Sequence, residues 1–311
     1  MTVQPQVLVD GRVISHPTAG GRGVGRYTIG LVRAMHESGA VVTVMNASKA
    51  DEQKWLDVIP SLQVAPFEPS TVRAASPDTW FMCTQMMLHP IPLDVVPRMI
   101  TEAGLRVVGI LHDVIPYRYP EQYLCDPSAL RQSQLRAVLV RTFDAMVANS
   151  TFSADTGSPV LDFNRSQIHV VGAAVEPQFC EGLVSESRLL RLIDKGVDVA
   201  RGLVVAVTGG DDRKNTPRLI RAWGSLAGEL RTSHQLVIAC AAVPVVQARW
   251  REVADSIGLT EHDVVFTDTV TDDEMVALYQ TARLSVMPSL EEGFGLPVAE
   301  AAACGCITIC S

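Results

Sequence analysis

Short apolar runs alternate with amphipathic stretches along the chain, a pattern typical of parallel α/β sheets. In the first half, the pattern predicts helices over Gly25–Glu37 and Pro127–Phe143. The strands predicted in this half are Val7–Asp10, Val41–Met45, Trp80–Cys83, Arg106–Leu111, Ala145–Asn149 and Ile168–Val171. In the second half, the predicted strands are Leu203–Thr208, Gln235–Ala241, Val264–Thr267, Leu284–Met287 and Ile307–Cys310. The helices predicted between them are Thr216–Leu230, Val246–Ile257, Asp272–Thr281 and Pro297–Cys304.

These elements predict an α/β protein with two Rossmann-like domains, residues 1–180 and 203–311. The charged stretch 181–202 would join them and would contain a short helix at Ser187–Lys195. The chain ends directly after a predicted strand, with no closing helix to cover the sheet. Because parallel sheets are covered on both faces, we expect the second domain to be incomplete at its C-terminus.

Composition narrows the functional classes. A chain of 311 residues fits two domains, and 47% hydrophobic with 19% charged residues is typical of a soluble globular protein. The net charge of -8 argues against a nucleic-acid partner. The longest apolar run, Leu236–Val243, is too short to cross a bilayer, and the N-terminus lacks the features of a signal peptide. We therefore expect a cytoplasmic protein.

The seven cysteines are an odd number without framework spacing, as expected in a reducing compartment. Cys304, Cys306 and Cys310 cluster near the end, but no second Cys or His pair accompanies them at zinc-site spacing. We interpret them as buried thiols, and the sequence predicts neither a metal site nor a cofactor. "TDD" at Thr271–Asp273 opens a predicted helix and is interpreted as a helix cap, not as a metal-binding Asp-x-Asp.

A loop with Gly20, Gly21, Gly23 and Gly25 follows the first strand and precedes a helix. Glycines at that place let backbone N–H groups approach a phosphate. A dinucleotide fingerprint does not fit, because its third glycine is replaced by Arg26 or Thr28, depending on which pair comes first. A P-loop does not fit either, since no Gly-Lys-Ser/Thr follows. An ordinary turn remains an alternative.

Two further strand ends carry candidate chemistry. Arg213 and Lys214, in "GGDDRKN", precede a helix, where cations oppose the helix dipole, and a bound diphosphate would explain them. A solvated turn is the alternative.

His112 directly follows an apolar strand, at the start of "HDVIPYRYPE", and ligands of open α/β sheets bind at the carboxyl ends of strands. The alternative is a histidine packed below a turn made by Asp113.

The segment "PSLEEGFGLPVAEA" places Glu292 and Glu300 around two glycines, and Pro297 suits the first turn of a helix. Carboxylates accept hydrogen bonds from vicinal hydroxyls, and N–H groups at a helix start bind phosphate oxygens. The segment therefore indicates a site for a phosphorylated, hydroxyl-rich ligand, with two solvated glutamates as the alternative.

This segment resembles the signature of GT-B glycosyltransferases of family 4, in which two glutamates flank seven residues of the Gly-Phe-Gly-Leu-Pro type. Other motifs are similar to that family in the same order: "GGRGVGRY", "HDVIPYRYPE", "VANSTFSADT", "IHVVGAAVEPQF" and "GGDDRKN". The resemblance covers essentially the whole chain. It implies a retaining, metal-independent transfer of a hexose from a nucleotide-diphosphate sugar to a hydroxyl acceptor.

The resemblance also implies roles for individual residues. Glu300 would hold the donor ribose, and Glu292 a hydroxyl of the donor sugar. The backbone of Phe294, Gly295 and Leu296 would meet the sugar and the diphosphate. Arg213 and Lys214 would neutralise the departing diphosphate, Gly23 would approach it from the first, acceptor-side domain, and His112 would contact the sugar near the reacting carbon.

The chain departs from the family pattern where many relatives carry a further arginine, since Gly209 and Gly210 stand there. "HDVIPYRYPE" and "GGDDRKN" are similar to mannosyltransferases of polysaccharide assembly, which favours GDP-mannose as donor. The implied acceptor is a glycan or glycolipid, and a glycolipid would bring the protein peripherally to a membrane surface. Two other functions remain open. One is a glycoside hydrolase, which would not explain the predicted phosphate-binding turns at the glycine loop and at "GGDDRKN". The other is a non-catalytic nucleotide-sugar-binding fragment or subunit.

Overall fold

The computed structural model of the chain describes residues 5–16, 20, 23–46, 48–88, 91–240 and 242–311. The chain divides into two compact units, Met1–Ala174 and Val175–Ser311. Each unit is built on one parallel sheet, as the alternation of apolar and amphipathic segments predicts.

In the first unit, the described residues form a parallel sheet of seven strands in the order β3-β2-β1-β4-β5-β6-β7. The strands are β1 Gln6–Asp10, β2 Val41–Asn46, β3 Gln63–Pro66, β4 Trp80–Cys83, β5 Arg106–Leu111, β6 Ala145–Ala148 and β7 Ile168–Val170. The helices are α1 Gly23–Glu37, α2 Lys49–Val58, α3 Pro69–Arg73, α4 Arg98–Glu102, α5 Ile115–Arg118, α6 Pro120–Tyr123, α7 Pro127–Val140 and α8 Thr151–Leu161. Short 3-10 turns lie at Gly11–Ser15, Pro92–Asp94 and Arg165–Gln167.

In the second unit, the strand order is β10-β9-β8-β11-β12, again all parallel. The strands are β8 Gly202–Val207, β9 His234–Ala239, β10 Val264–Phe266, β11 Ala282–Met287 and β12 Thr308–Cys310. The helices are α9 Glu186–Asp194, α10 Thr216–Gly224, α11 Gly228–Ser233, α12 Pro244–Ser256, α13 Asp272–Thr281 and α14 Leu296–Ala303, and a 3-10 turn lies at Asp212–Lys214.

Each sheet has an apolar layer on both faces, because side chains alternate along a strand. In β4, Phe81 packs in one core cluster and the next residue, Met82, packs in the cluster on the opposite face. In β8, Leu203 and Val205 face one layer and Val204 faces the other. Because both faces of these strands are buried, their sequences are nearly continuous apolar runs.

The predicted helix Thr216–Leu230 is wrong in its second half. Helix α10 ends at Gly224, Ser225 caps it, and a separate helix α11 begins at Gly228. A Cβ at Gly224 would lie 2.6 Å from Cδ1 of Ile257, so a larger residue there would collide with the end of α12. A larger residue at Gly224 would therefore require the side chain of Ile257 to shift.

The start of helix α1 also differs from prediction. Helix α1 begins at Gly23, within the segment predicted to be a long loop, and part of that loop forms the 3-10 turn Gly11–Ser15. The predicted join, residues 181–202, lies within the second unit. Its helix α9 packs there through Leu192, which is fully buried in the core of that unit, and Arg188 and Arg191 both form ion pairs with Asp273 at the start of α13.

Candidate functional site

The turn that follows β8 is tied to the loop that follows β11. Asp211 caps the 3-10 turn, with its Oδ1 accepting a hydrogen bond from the backbone N of Arg213 at 3.0 Å. Asn215 adopts a left-handed conformation with φ of 58°, and its Nδ2 donates to the backbone oxygen of Pro288 at 3.1 Å. The backbone N of Leu290 donates a hydrogen bond to the carbonyl oxygen of Arg213 at 2.8 Å. Since β8 and β11 are neighbours, both segments lie at the carboxyl edge of the second sheet.

This arrangement brings the two cations onto one carboxylate. Lys214 Nζ lies 2.6 Å from Glu292 Oε1, and Arg213 Nη1 lies 3.0 Å from the same oxygen. Arg213 also donates to the backbone oxygen of Glu291. The side chains of Arg213, Lys214 and Glu292 are only 12%, 18% and 19% exposed, so their charges interact with little screening.

The ionisation of Glu292 follows from these neighbours. Burial raises the pKa of the Glu292 carboxyl, but the adjacent ammonium of Lys214 and guanidinium of Arg213 outweigh it and hold the pKa below its ordinary value. Glu292 is therefore a carboxylate at neutral pH. The cluster therefore combines two cations with two carboxylates, since Asp211 Oδ2 also lies 3.6 Å from Arg213 Nε.

The second predicted glutamate lies on the helix that follows this loop. Gly295 is the N-cap of α14 with φ of 83°, a conformation that L side chains rarely adopt. Leu296 begins the helix, Phe294 is exposed before it, and Glu300 is buried within it. The structure thus brings Arg213, Lys214 and Glu292 into contact and places Phe294, Gly295, Leu296 and Glu300 in the adjoining strand-to-helix segment.

His112 and Gly23 belong to the first unit. His112 directly follows β5 and is half-buried, and its backbone oxygen accepts a hydrogen bond from Ser153 Oγ at 2.7 Å. Burial lowers the pKa of its imidazole to about 4, so the ring is neutral at pH 7. The ring meets that of Tyr27 edge-on, with centroids 5.1 Å apart.

Gly23 is the first residue of α1, and a Cβ added to it would meet no described atom within 4 Å. Gly20, by contrast, needs its lack of a side chain for packing, since a Cβ there would lie 2.5 Å from the oxygen of Ile14. Gly21 lies outside the described residues. The open space over Gly23 is compatible with close approach of a ligand to the helix start.

Sequence reasoning missed three polar residues near His112: Tyr27, Gln85 and Asn149 are all buried. A polar residue directly after an apolar strand was the available signal for Asn149, whereas Tyr27 lies within α1 and Gln85 lies two residues after β4. The interpretation of "TDD" as a cap is confirmed, since Thr271 and Glu274 form a reciprocal capping box. Cys304 and Cys306 are buried as expected, whereas Cys310 is exposed.

In the part of the chain that the structure describes, no group of three His, Cys, Asp or Glu side chains is placed to hold a metal ion. No helix among the described residues has the length and apolar character to cross a membrane.

Comparison with known proteins identifies the kind of domain that the chain carries. Residues 202–311 match the family described as "Glycosyl transferases group 1". The chain therefore carries a group 1 glycosyltransferase domain. The serotype-specific mannosyltransferase WbdA of Escherichia coli is 32% identical over 219 residues, which are 70% of this chain and 26% of that protein. The O-antigen chain mannosyltransferase B of Escherichia coli is 25% identical over 206 residues, 66% of this chain and 53% of that protein.

Solved structures agree on the fold. The chain superimposes on Anabaena HepE in complex with UDP and glucose with a TM-score of 0.71 at 16% identity, over 99% of this chain and 80% of that one. WaaG, a glycosyltransferase involved in lipopolysaccharide biosynthesis, gives a TM-score of 0.64 at 14% identity, over 98% of this chain and 80% of that one. The fold is the two-domain GT-B fold. The chain spans about a quarter of the length of WbdA.

Proposed function

We propose that the protein is a retaining glycosyltransferase that moves mannose from GDP-mannose to a hydroxyl of a glycan or glycolipid. The observation that carries this proposal is the convergence of Arg213 and Lys214 on one carboxylate beside a glycine-capped helix. The mannosyltransferase relatives support the choice of sugar. The choice of GDP as the nucleotide rests on the resemblance of "GGDDRKN" to mannosyltransferase motifs.

The two cations would stabilise the leaving diphosphate. Transfer breaks the bond between the anomeric carbon and the phosphate oxygen, and negative charge grows on that oxygen. Lys214 supplies a compact point charge and Arg213 a planar fork, and their turn is fixed by hydrogen bonds before any ligand arrives. Fixed cations of this kind can replace a divalent ion, so we propose a metal-independent reaction.

The remaining residues would hold the donor. Glu300 would accept hydrogen bonds from the ribose diol, and Glu292 from a hydroxyl of the hexose. The backbone of Phe294, Gly295 and Leu296 would approach the sugar and the phosphates. From the first unit, Gly23 would approach the diphosphate and His112 the reacting sugar.

The configuration at the anomeric carbon would be retained because the acceptor attacks that carbon from the same face that the diphosphate leaves. The acceptor oxygen forms the new bond to the anomeric carbon, and its proton moves to the departing phosphate oxygen. No protein general base is required. We propose a cytoplasmic reaction with peripheral membrane contact through a glycolipid acceptor, and the cysteines, all free thiols, are compatible with a reducing compartment.

Thermal shift with GDP, UDP and ADP tests the donor site, followed by transfer or hydrolysis assays with GDP-mannose. We expect GDP to raise the melting temperature most, and Lys214→Ala to reduce that shift. If none of the three nucleotides binds, the proposed site is wrong. If GDP binds tightly but GDP-mannose is neither transferred nor hydrolysed, the protein is a nucleotide-sugar-binding protein and not an enzyme.

A further inference from the structure

Two cysteines that are far apart in the sequence are neighbours in the second unit. Cys304 is buried at the C-cap of α14, whereas Cys180 is exposed in the segment that precedes α9. The residues that follow them are in contact, because a Cβ added to Gly305 would lie 3.1 Å from Cγ of Glu181. The backbone N–H of Cys180 hydrogen-bonds to the sulfur of Cys304. A thiol at the surface therefore has a second, buried thiol beside it.

The segment that carries Cys180 is held in place by α13 and by the core. Gln280 Nε2 donates to the backbone oxygen of Cys180 at 2.7 Å. The preceding residue, Phe179, lies in the same core cluster as Cys304, and its ring centroid is 6.4 Å from that of Tyr279. Because these contacts fix the backbone around Cys180, the proximity of the two cysteines is built into the fold of the unit.

The other cysteines of the second unit are arranged differently. Cys306 also lies near Cys304, but its own Sγ is turned towards backbone oxygens. Cys310 is exposed on β12, and Cys240 is buried in the core cluster on the opposite face of the sheet. Cys180 and Cys304 are thus the neighbours that combine an accessible thiol with a buried one.

We propose that Cys180 and Cys304 form a reversible disulfide when an oxidised low-molecular-weight thiol, such as glutathione disulfide, is present. The bond would tie the segment that begins the second unit at Val175 to α14, the helix that carries Glu300. Cytosolic disulfides are usually transient and redox-sensing, so a reduced pair in the resting protein agrees with the proposed compartment. The inference goes beyond the proposed function and is independent of it, because the pair needs no bound nucleotide.

The accessibility of the two thiols sets the order of the steps. The exposed Cys180, as a thiolate, attacks one sulfur of glutathione disulfide, which forms a mixed disulfide and releases the first glutathione. Cys304 then loses its proton and attacks the Cys180 sulfur, and the second glutathione leaves and takes up that proton. Two protein thiols are oxidised, and one glutathione disulfide is reduced to two glutathione thiols.

The second step should depend on pH through Cys304. Burial, with smaller contributions from the nearby Cys180 and Glu300, raises the pKa of the Cys304 thiol to about 11. Only the thiolate attacks a disulfide, and well below this pKa the thiolate fraction rises about tenfold with each pH unit. The disulfide should therefore close about tenfold faster at pH 8 than at pH 7.

The test treats the reduced full chain with glutathione disulfide and maps tryptic peptides by mass spectrometry without reduction. Trypsin leaves Cys304, Cys306 and Cys310 together in the C-terminal peptide. The variant Cys304→Ser therefore decides which of them joins Cys180. Cys310→Ser is the matched control, because it removes an exposed thiol from the same peptide.

In the oxidised wild-type chain, we expect the peptide of Cys180 to be linked to the C-terminal peptide by a bond that dithiothreitol breaks. The melting temperature should rise by at least about 4 °C on oxidation, because the bond closes a long loop of the chain. In Cys304→Ser, Cys180 should instead carry one glutathione, and the rise in melting temperature should be lost. Cys310→Ser should give the same link as wild type.

Cys180→Ser serves as a second variant in case Cys304→Ser does not fold, since Cys180 is exposed. It should abolish the link and leave Cys304 without glutathione. The inference is wrong if the wild-type chain keeps glutathione on Cys180 at pH 8 without forming the link, or if the link persists in Cys304→Ser. A bond between Cys304 and Cys306 within the C-terminal peptide would equally contradict it.

Discussion

Glu292 is the carboxylate that both Arg213 and Lys214 contact, so replacing it with an uncharged side chain should strengthen the binding of a diphosphate. Glu292→Gln keeps the shape of the side chain and removes its negative charge. Arg213 and Lys214 would then lose the carboxylate that lies 3.0 and 2.6 Å from them. We expect the affinity for GDP to rise and the rate of hexose transfer to fall, because Glu292 is also proposed to hold the sugar.

The size of the gain follows from Coulomb's law. A phosphate oxygen that accepts a hydrogen bond from Lys214 Nζ would lie about 5 Å from the Glu292 carboxylate. At that distance two unit charges repel by about 3 kcal/mol at an effective dielectric constant of 20, and by about 0.8 kcal/mol in water. Because the cluster is mostly but not fully buried, an intermediate value of about 1.4 kcal/mol applies, which is about a tenfold gain in affinity.

Isothermal titration with GDP at low and high salt measures this effect. The gain should shrink at high salt, since ions screen the removed repulsion. Glu261→Gln is the matched control, because it removes the same charge from an exposed position of the second unit. An affinity for GDP that stays the same or falls in Glu292→Gln at low salt would refute the counter-charge reasoning.

Four further predictions concern turnover, donor binding, metal and pH. Lys214→Ala should lower the catalytic rate on the order of a hundredfold, with partial rescue by Lys214→Arg, and rates within about twofold of wild type would indicate an ordinary surface turn. Glu300→Ala should raise the donor dissociation constant at least about tenfold in calorimetry, and an unchanged constant would remove Glu300 from the site. Transfer should survive EDTA, whereas loss that magnesium or manganese restores would contradict metal independence. His112 has its pKa lowered from 6.5 to about 4, so the unfolded chain takes up the proton first as pH falls. Between pH 7 and 5 the free energy of unfolding should decrease by about 2 kcal/mol more in wild type than in His112→Gln, and equal slopes in urea titrations would show that His112 is not held neutral.

Local sequence was a good guide to buried strands and a poor one to elements shaped by packing. Strands β4 and β5 have the predicted bounds, because a continuous apolar run can be satisfied only by burial on both faces. Strand β3 was missed, since "QVAP" is short and half-exposed at the sheet edge. Helix α8 was missed because it contains Gly157 and Pro159, and a Cβ at Gly157 would lie 2.6 Å from Leu111. The reason for that glycine lies in a contact with a distant strand.

The sequence by itself determined the parallel α/β architecture and the residue types of the candidate site, since apolar periodicity and motifs are local properties of the chain. Only the tertiary structure decided which of those residues meet. Lys214 and Glu292 are 78 positions apart, and the pairing of β8 with β11 brings them to 2.6 Å. The polar cluster around His112 likewise depends on the order of β4, β5 and β6. Strand order is set by the packing of the whole sheet, and no short stretch of sequence encodes it.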